Sequence, residues 1–82
     1  MSKQYKCVAR EGMSSTNPIV IEARSPKEAA YFMGRQMGYQ CKQTLQGRTY
    51  DYVTKTNEFN SNARCCVAVY DGSKVSYYNI SQ

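Results

Sequence analysis

Apolar and polar positions alternate along most of this chain, and in one stretch only the period changes from two to about four. Tyr5, Cys7 and Ala9 fall on one side of a run over residues 5–10, and Lys6 and Arg10 fall on the other. That is the pattern of a half-buried strand with its cations on the outer face. Ile19, Ile21 and Ala23 alternate with Val20, Glu22 and Arg24 and predict a second strand. Residues 11–18 between them, with Gly12, Ser14, Ser15, Asn17 and Pro18, read as the long loop of a hairpin.

The second strand runs straight into the one stretch of helical period. Ala29, Met33 and Met37 recur every four residues with Ala30 and Phe32 beside them, which predicts a helix over residues 26–37 with that stripe buried. Its start is marked by Ser25 at the N-cap, Pro26 at the first helical position and Glu28 as the reciprocal member of a capping box. Gly38 stands where a left-handed stop belongs. Beyond it, residues 39–45 alternate again, with Tyr39, Cys41 and Leu45 against Gln40, Lys42 and Thr44, and predict a third strand. Residues 46–48 turn the chain, residues 49–54 form a weaker strand candidate, and the Asn-rich residues 55–62 read as loop.

Residues 64–70 and 74–80 flank Asp71-Gly72-Ser73, and Asp-Gly between two β-rich runs is a strong hairpin signal. Sequence leaves the turn length open. A slip of one residue decides whether Val75 and Tyr77 or Ser76 and Tyr78 face the core. A single amphipathic helix needs a sheet to cover it, so the pattern predicts one α+β domain over residues 1–82. In it, a single antiparallel sheet of four to five strands carries one α-helix packed on one face, with the other face wet or used for binding.

Composition narrows the functional classes. At 82 residues the chain is short of the size at which a deep substrate cleft is usual. Eleven Lys and Arg against six Asp and Glu give a formal charge of +5, spread along the chain, which favours a diffuse positive field over a nucleic-acid tail. No stretch approaches the ~20 apolar residues of a membrane span, so a soluble, cytoplasmic protein is expected. Cys7, Cys41, Cys65 and Cys66 lack the Cys-x-x-Cys or histidine spacing of a zinc site, and the chain has no histidine. They read as free, buried thiols, with no metal or other cofactor expected. Because Cys65 and Cys66 point to opposite faces of a strand, one thiol of the pair is expected to be exposed and oxidisable.

Without histidine, nucleophile motifs or a phosphate-binding glycine loop, neither an enzyme nor a small-molecule substrate is expected. Binding has more to work with. Eight tyrosines and no tryptophan are a large share of so short a chain, and several stand beside charge. Tyrosine offers contact area with a polar tip, suited to protein interfaces and to stacking on bases. Lys27, Tyr31 and Arg35, spaced by four, make a basic-aromatic ridge on the helix. Lys6, Arg10 and Lys42 make a second candidate surface on the outer strand faces, and Arg48 with Tyr50 add to the set.

The succession Tyr5-Lys6-Cys7-Val8, then Ile21-Glu22-Ala23-Arg24-Ser25 leading into an alanine-containing helix, then Tyr70-Asp71-Gly72-Ser73-Lys74, resembles the layout of small phage-encoded anti-CRISPR proteins. It is most similar to the compact ββαβββ inhibitors of type I-F surveillance complexes, although this chain inserts residues 49–62 before the closing hairpin. The resemblance implies a non-enzymatic inhibitor, working in the cytoplasm of a bacterial host, that docks on a Cas protein–RNA complex and covers a guide or DNA-binding surface. The alternative from composition is a phage accessory protein that binds nucleic acid through a basic, tyrosine-rich surface, with nonspecific affinity from charge alone.

Overall fold

The computed structural model describes residues 2–39, 52–57 and 64–81. It contains one antiparallel sheet of six strands and one helix: β1 (Lys3–Glu11), β2 (Ser14–Ser15), β3 (Ile19–Ala23), α1 (Pro26–Gln36), β4 (Tyr52–Thr56), β5 (Cys65–Asp71) and β6 (Lys74–Ser81). Across the sheet the order is β2-β1-β5-β6-β4, and β3 continues the β2 edge by pairing with the other end of β1. Helix α1 lies over one face, against β1, β3 and β5 chiefly.

The junction between β3 and α1 is held as its sequence predicts. Ser25 is in extended backbone, and its Oγ accepts the Glu28 amide at 3.1 Å. Glu28 reaches back one residue further than a capping box requires: its Oε1 accepts the Arg24 amide at 3.0 Å and its Oε2 pairs with Arg24 Nη2 at 3.3 Å. At the other end Gly38 adopts φ +98°, its amide donates to the Arg35 carbonyl, and the Tyr39 amide donates to the Gly34 carbonyl at 3.0 Å. Those two bonds are a Schellman cap, so Tyr39 closes the helix. The rest of the third strand expected over residues 39–45, including Cys41, and the turn at 46–48 lie outside the described residues.

Two expectations are corrected. Residues 11–18 are not a long loop: Glu11 pairs with Ser14 around the two-residue turn Gly12-Met13, with Gly12 at φ +59°. Register then advances unequally, because Arg10 opposes Ser15 and Cys7 opposes Ile19, so three steps along β1 match four on the return. The extra residue is a bulge, pinned where the Thr16 amide donates to the Ala9 carbonyl at 2.8 Å and Thr16 Oγ1 accepts the Ala9 amide at 3.0 Å. It splits the return strand into β2 and β3, which is why six strands stand where four to five were expected.

Second, β4 reaches Thr56, into the stretch expected to be loop, because pairing Val53 with Ile80 carries Val53 into the core. The closing turn, whose length the sequence leaves open, holds two residues, Gly72-Ser73, and Asp71 pairs with Lys74. That register buries Tyr78 and Ile80 under the helix and turns Val75 and Tyr77 to the opposite face. On the helix side Tyr5 and Tyr78 supply the buried aromatics of the core cluster. Met33 of α1 seats among Cys7, Val67, Val69 and Ile80, all essentially without solvent exposure.

Two stability measurements test this account. Ser25→Ala should lower the unfolding free energy by about 1 kcal/mol in urea titration, as expected for loss of an N-cap acceptor. Gly72→Ala should cost about 1–2 kcal/mol although nothing lies within 4 Å of the added methyl, because φ is +63° there. A neutral Gly72→Ala would mean that the turn has another conformation.

Candidate nucleic-acid interface

The two candidate surfaces lie on opposite sides of the molecule and differ in how far they are already committed. On α1, Lys27 and Arg35 are exposed, but Tyr31 is half-buried and packs against the edge of the core. Its neighbours three residues away on either side are the buried Glu28 and Gly34, and the latter has no side chain to hold the ring off the sheet. The expected free ridge is thus two cations separated by a partly structural ring. Beside it Ser25, Lys27, Glu28 and Tyr31 line a shallow open depression of about 230 Å³.

The sheet face opposite α1 is built in cross-strand rows. Register places Val20, Lys6, Tyr70 and Val75 in one row, Val8, Ala68, Tyr77 and Thr56 in the next, and Ser15, Arg10, Cys66, Asn79 and Thr54 in a third. No described element lies over them. Two cations and no carboxylate stand among these thirteen residues, and Glu22 occupies the outer row beyond Lys6. Lys6 Nζ sits 5.3 Å from the Tyr70 ring centroid, so the charge is held over an aromatic face while the side chain stays exposed. Arg10 is half-buried and its Nε donates to the Gly12 carbonyl at 3.1 Å. Along β1 the two cations are four residues apart, about 13 Å in a strand.

The central residues of this face are small. Cys66 and Ala68 are buried, at 2% and 0% exposure, although they point away from the helix. The expected exposed, oxidisable thiol is therefore absent from the Cys65–Cys66 pair: Cys65 is in the core, and Cys66, which pairs with Arg10 and Asn79, is buried as well. Cys7 is likewise enclosed, and burial pushes its thiol up to about 11. Tyr77 and Tyr70 on the same face are half-buried, and Val20 and Val75 are exposed. Asn79 Oδ1, on the same face, is buried and accepts no hydrogen bond from any described residue.

Other charges are engaged elsewhere. Lys3 Nζ pairs with Asp71 at 3.0 Å on the helix side, and that hydrogen bond raises the Lys3 pKa. Tyr39 donates to Glu11 Oε2 at 2.7 Å beneath the Arg64 guanidinium, 5.0 Å from its ring centroid, and burial together with the Glu11 bond pushes its hydroxyl up to about 12. Lys42, Arg48 and Tyr50 lie outside the described residues. Tyr70, Tyr77 and Asn79 belong to the face with Lys6 and Arg10 but were not singled out beside them. Their placement depends on pairing β5 with β1, a long-range contact without a local signal. Among the described residues no cluster of Cys, Asp and Glu is arranged to hold a metal ion, and no helix is long and apolar enough to cross a membrane.

The packing of Cys66 is directly testable. In Cys41→Ser protein, maleimide should leave the remaining three thiols unmodified under native conditions and label all three in denaturant. Rapid native labelling at Cys66 would show that this thiol is not buried.

Comparison with known proteins leaves these faces to be read on their own chemistry: no family model matches the chain, and neither the curated proteins nor the solved structures provide a match.

Proposed function

We propose that this chain is a small, non-enzymatic binding protein that engages nucleic acid through the sheet face opposite α1. The observation carrying this reading is the run of three cross-strand rows with Lys6 and Arg10, two outward tyrosines and no carboxylate. A polyanion gains from such a face twice, by replacing condensed counterions with Lys and Arg and by contact with aromatic rings. The formal charge of +5 adds a long-range attraction that speeds encounter.

The nucleic acid need not be free. A second reading, an inhibitor that docks on a CRISPR surveillance complex of a bacterial host, is favoured by the resemblance of the Ile21–Ser25 junction and the Tyr70–Lys74 hairpin to type I-F inhibitors. In that setting the same face would meet the guide RNA or the DNA strand within the ribonucleoprotein. Lys27 and Arg35 on the helix then form the competing site.

Fluorescence anisotropy with a labelled oligonucleotide, repeated across a salt series and beside a purified type I-F surveillance complex, separates these readings. Binding of the oligonucleotide should weaken steeply with salt, and Lys6→Glu with Arg10→Glu should abolish it, while Lys27→Glu with Arg35→Glu should retain most of it. Replacing the two cations by glutamine should lower the salt slope by roughly 1.4 for a single strand. Stoichiometric capture of the complex without affinity for free nucleic acid would favour the inhibitor, and loss of binding with the helix pair alone would move the site to α1.

A further inference from the structure

The outer edge of β3 carries a free stretch of backbone whose length is set by its neighbours. The Ala9 amide and carbonyl both face the return strand, where they bond to Thr16 Oγ1 and to the Thr16 amide. Backbone direction alternates along a strand, so Cys7, Tyr5 and Lys3 face the same way, and their partners Ile19, Ile21 and Ala23 direct their amides and carbonyls to β1. Val20 and Glu22 therefore turn theirs outward, where no described strand or loop bonds to them. The stretch is closed at both ends: Pro18 has no amide to offer, and the Arg24 amide donates to Glu28 Oε1 at 3.0 Å.

We infer that this edge pairs with the same edge of a second copy of the chain, antiparallel about a two-fold axis at Ile21, so that two sheets become one. That register sets Val20 of each copy opposite Glu22 of the other, and each such pair exchanges two backbone hydrogen bonds. All four outward groups of each copy are then used. Moving the axis by one residue spoils the match. Centred on Val20, Glu22 would face Pro18, which cannot donate; centred on Glu22, two carboxylates would stand directly opposite one another.

Side chains along the edge favour the same pairing. Sheet edges are commonly guarded by lysine, and β4 at the opposite edge carries Lys55, but β3 carries none. Val20 is 62% exposed, so a β-branched residue suited to cross-strand contact is left in solvent by the single chain. In the joined sheet Val20 lies between Lys6 of its own copy and Glu22 of the second, with opposite charges on either side of it. On the helix side, half-buried Ile19 gains Ala23 of the second copy across from it. The axis runs through the sheet, so both helices lie on one side. Because α1 lies over β1, β3 and β5, the helices are spaced roughly as the two β1 strands are, about 14 Å apart, which clears helices about 10–12 Å across. The edge is short and each copy carries +5, so association depends on concentration and is strengthened by salt, the reverse of nucleic-acid binding.

Sedimentation velocity of the full chain over a concentration series, at moderate and high salt, tests this together with hydrogen exchange at single amides. The sedimentation coefficient should rise toward that of a dimer, and at lower protein concentration when salt is high. Val20 and Glu22 amides should exchange fast in dilute protein and gain about ten-fold protection where the dimer predominates. The Ile21 amide, directed to β1, should be slow in both. Two substitutions at one exposed position then read the register. Val20→Glu sets a carboxylate opposite Glu22 of the second copy and should abolish the dimer, whereas Val20→Lys sets an ammonium there and should retain or tighten it, both with little change in melting temperature. A chain that stays monomeric throughout the series, or fast exchange at Val20 and Glu22 in concentrated protein, would overturn the inference. Equal loss with Val20→Glu and Val20→Lys would overturn it too, since that is the behaviour of an apolar patch and not of paired edges. A dimer that neither substitution alters is joined elsewhere and also sinks the proposal, while the nucleic-acid reading stands or falls separately on the oligonucleotide titration.

Discussion

The structure depends on the coupling of β3 to α1 through Glu28. This carboxylate is 8% exposed, the one charged residue among the buried positions described. Its oxygens are met there by the Arg24 amide at 3.0 Å and the Arg24 guanidinium at 3.3 Å, while Ser25 caps the same turn. A buried charge without such partners would cost several kcal/mol. The bonds fix the chain's change of direction within two residues, so α1 leaves β3 already aimed across the sheet. Ala29, Ala30, Met33 and Gly34 then meet β1 and β5 at close range, since three of the four are small enough to let helix and sheet approach.

That docking makes the sheet one-sided. Residues of odd number on β1 and β5 and of even number on β6 go under the helix, and their neighbours go to the other face. A two-sided role is most demanding for the central strand β5, where every residue from Cys65 to Val69 is buried. On the helix side Cys65, Val67 and Val69 fill space beneath Met33. On the far side Cys66 and Ala68 are buried because they are short and their cross-strand neighbours are not. The far face therefore has a neutral, buried centre, with Lys6, Arg10, Tyr70, Tyr77 and Asn79 in the same three cross-strand rows. Cys7, with its thiol pushed up to about 11, stays protonated at neutral pH, and it is packed as a small apolar group.

Much of this was legible because it is local. The Ser-Pro-x-Glu start and glycine stop of α1, the alternation in β1 and β3, and the Asp-Gly hairpin between two β-rich runs each depend on residues within a few positions of one another. Period two also put Lys6 and Arg10 on a common outer face before any neighbour was known. Other features depend on which strands become neighbours. The two-residue turns, and the bulge at Thr16 that divides β2 from β3, are settled by the pairing of Glu11 with Ser14 and Asp71 with Lys74, where Gly12 and Gly72 supply positive φ.

What the chain determined by itself is therefore a capped helix, its flanking strands and the side of β1 that carries charge. Only the tertiary structure decided that β5 inserts between β1 and β6, and this placement brings Tyr70 and Tyr77 beside Lys6 and Arg10 and covers Cys66. The reason is physical: a strand's alternation specifies two faces but not its neighbour or its register, and a slip of one residue would exchange Tyr77 for Tyr78. Tyr31 obeys the same division, since helical spacing put it on the polar side and packing beside Gly34 drew its ring against the core.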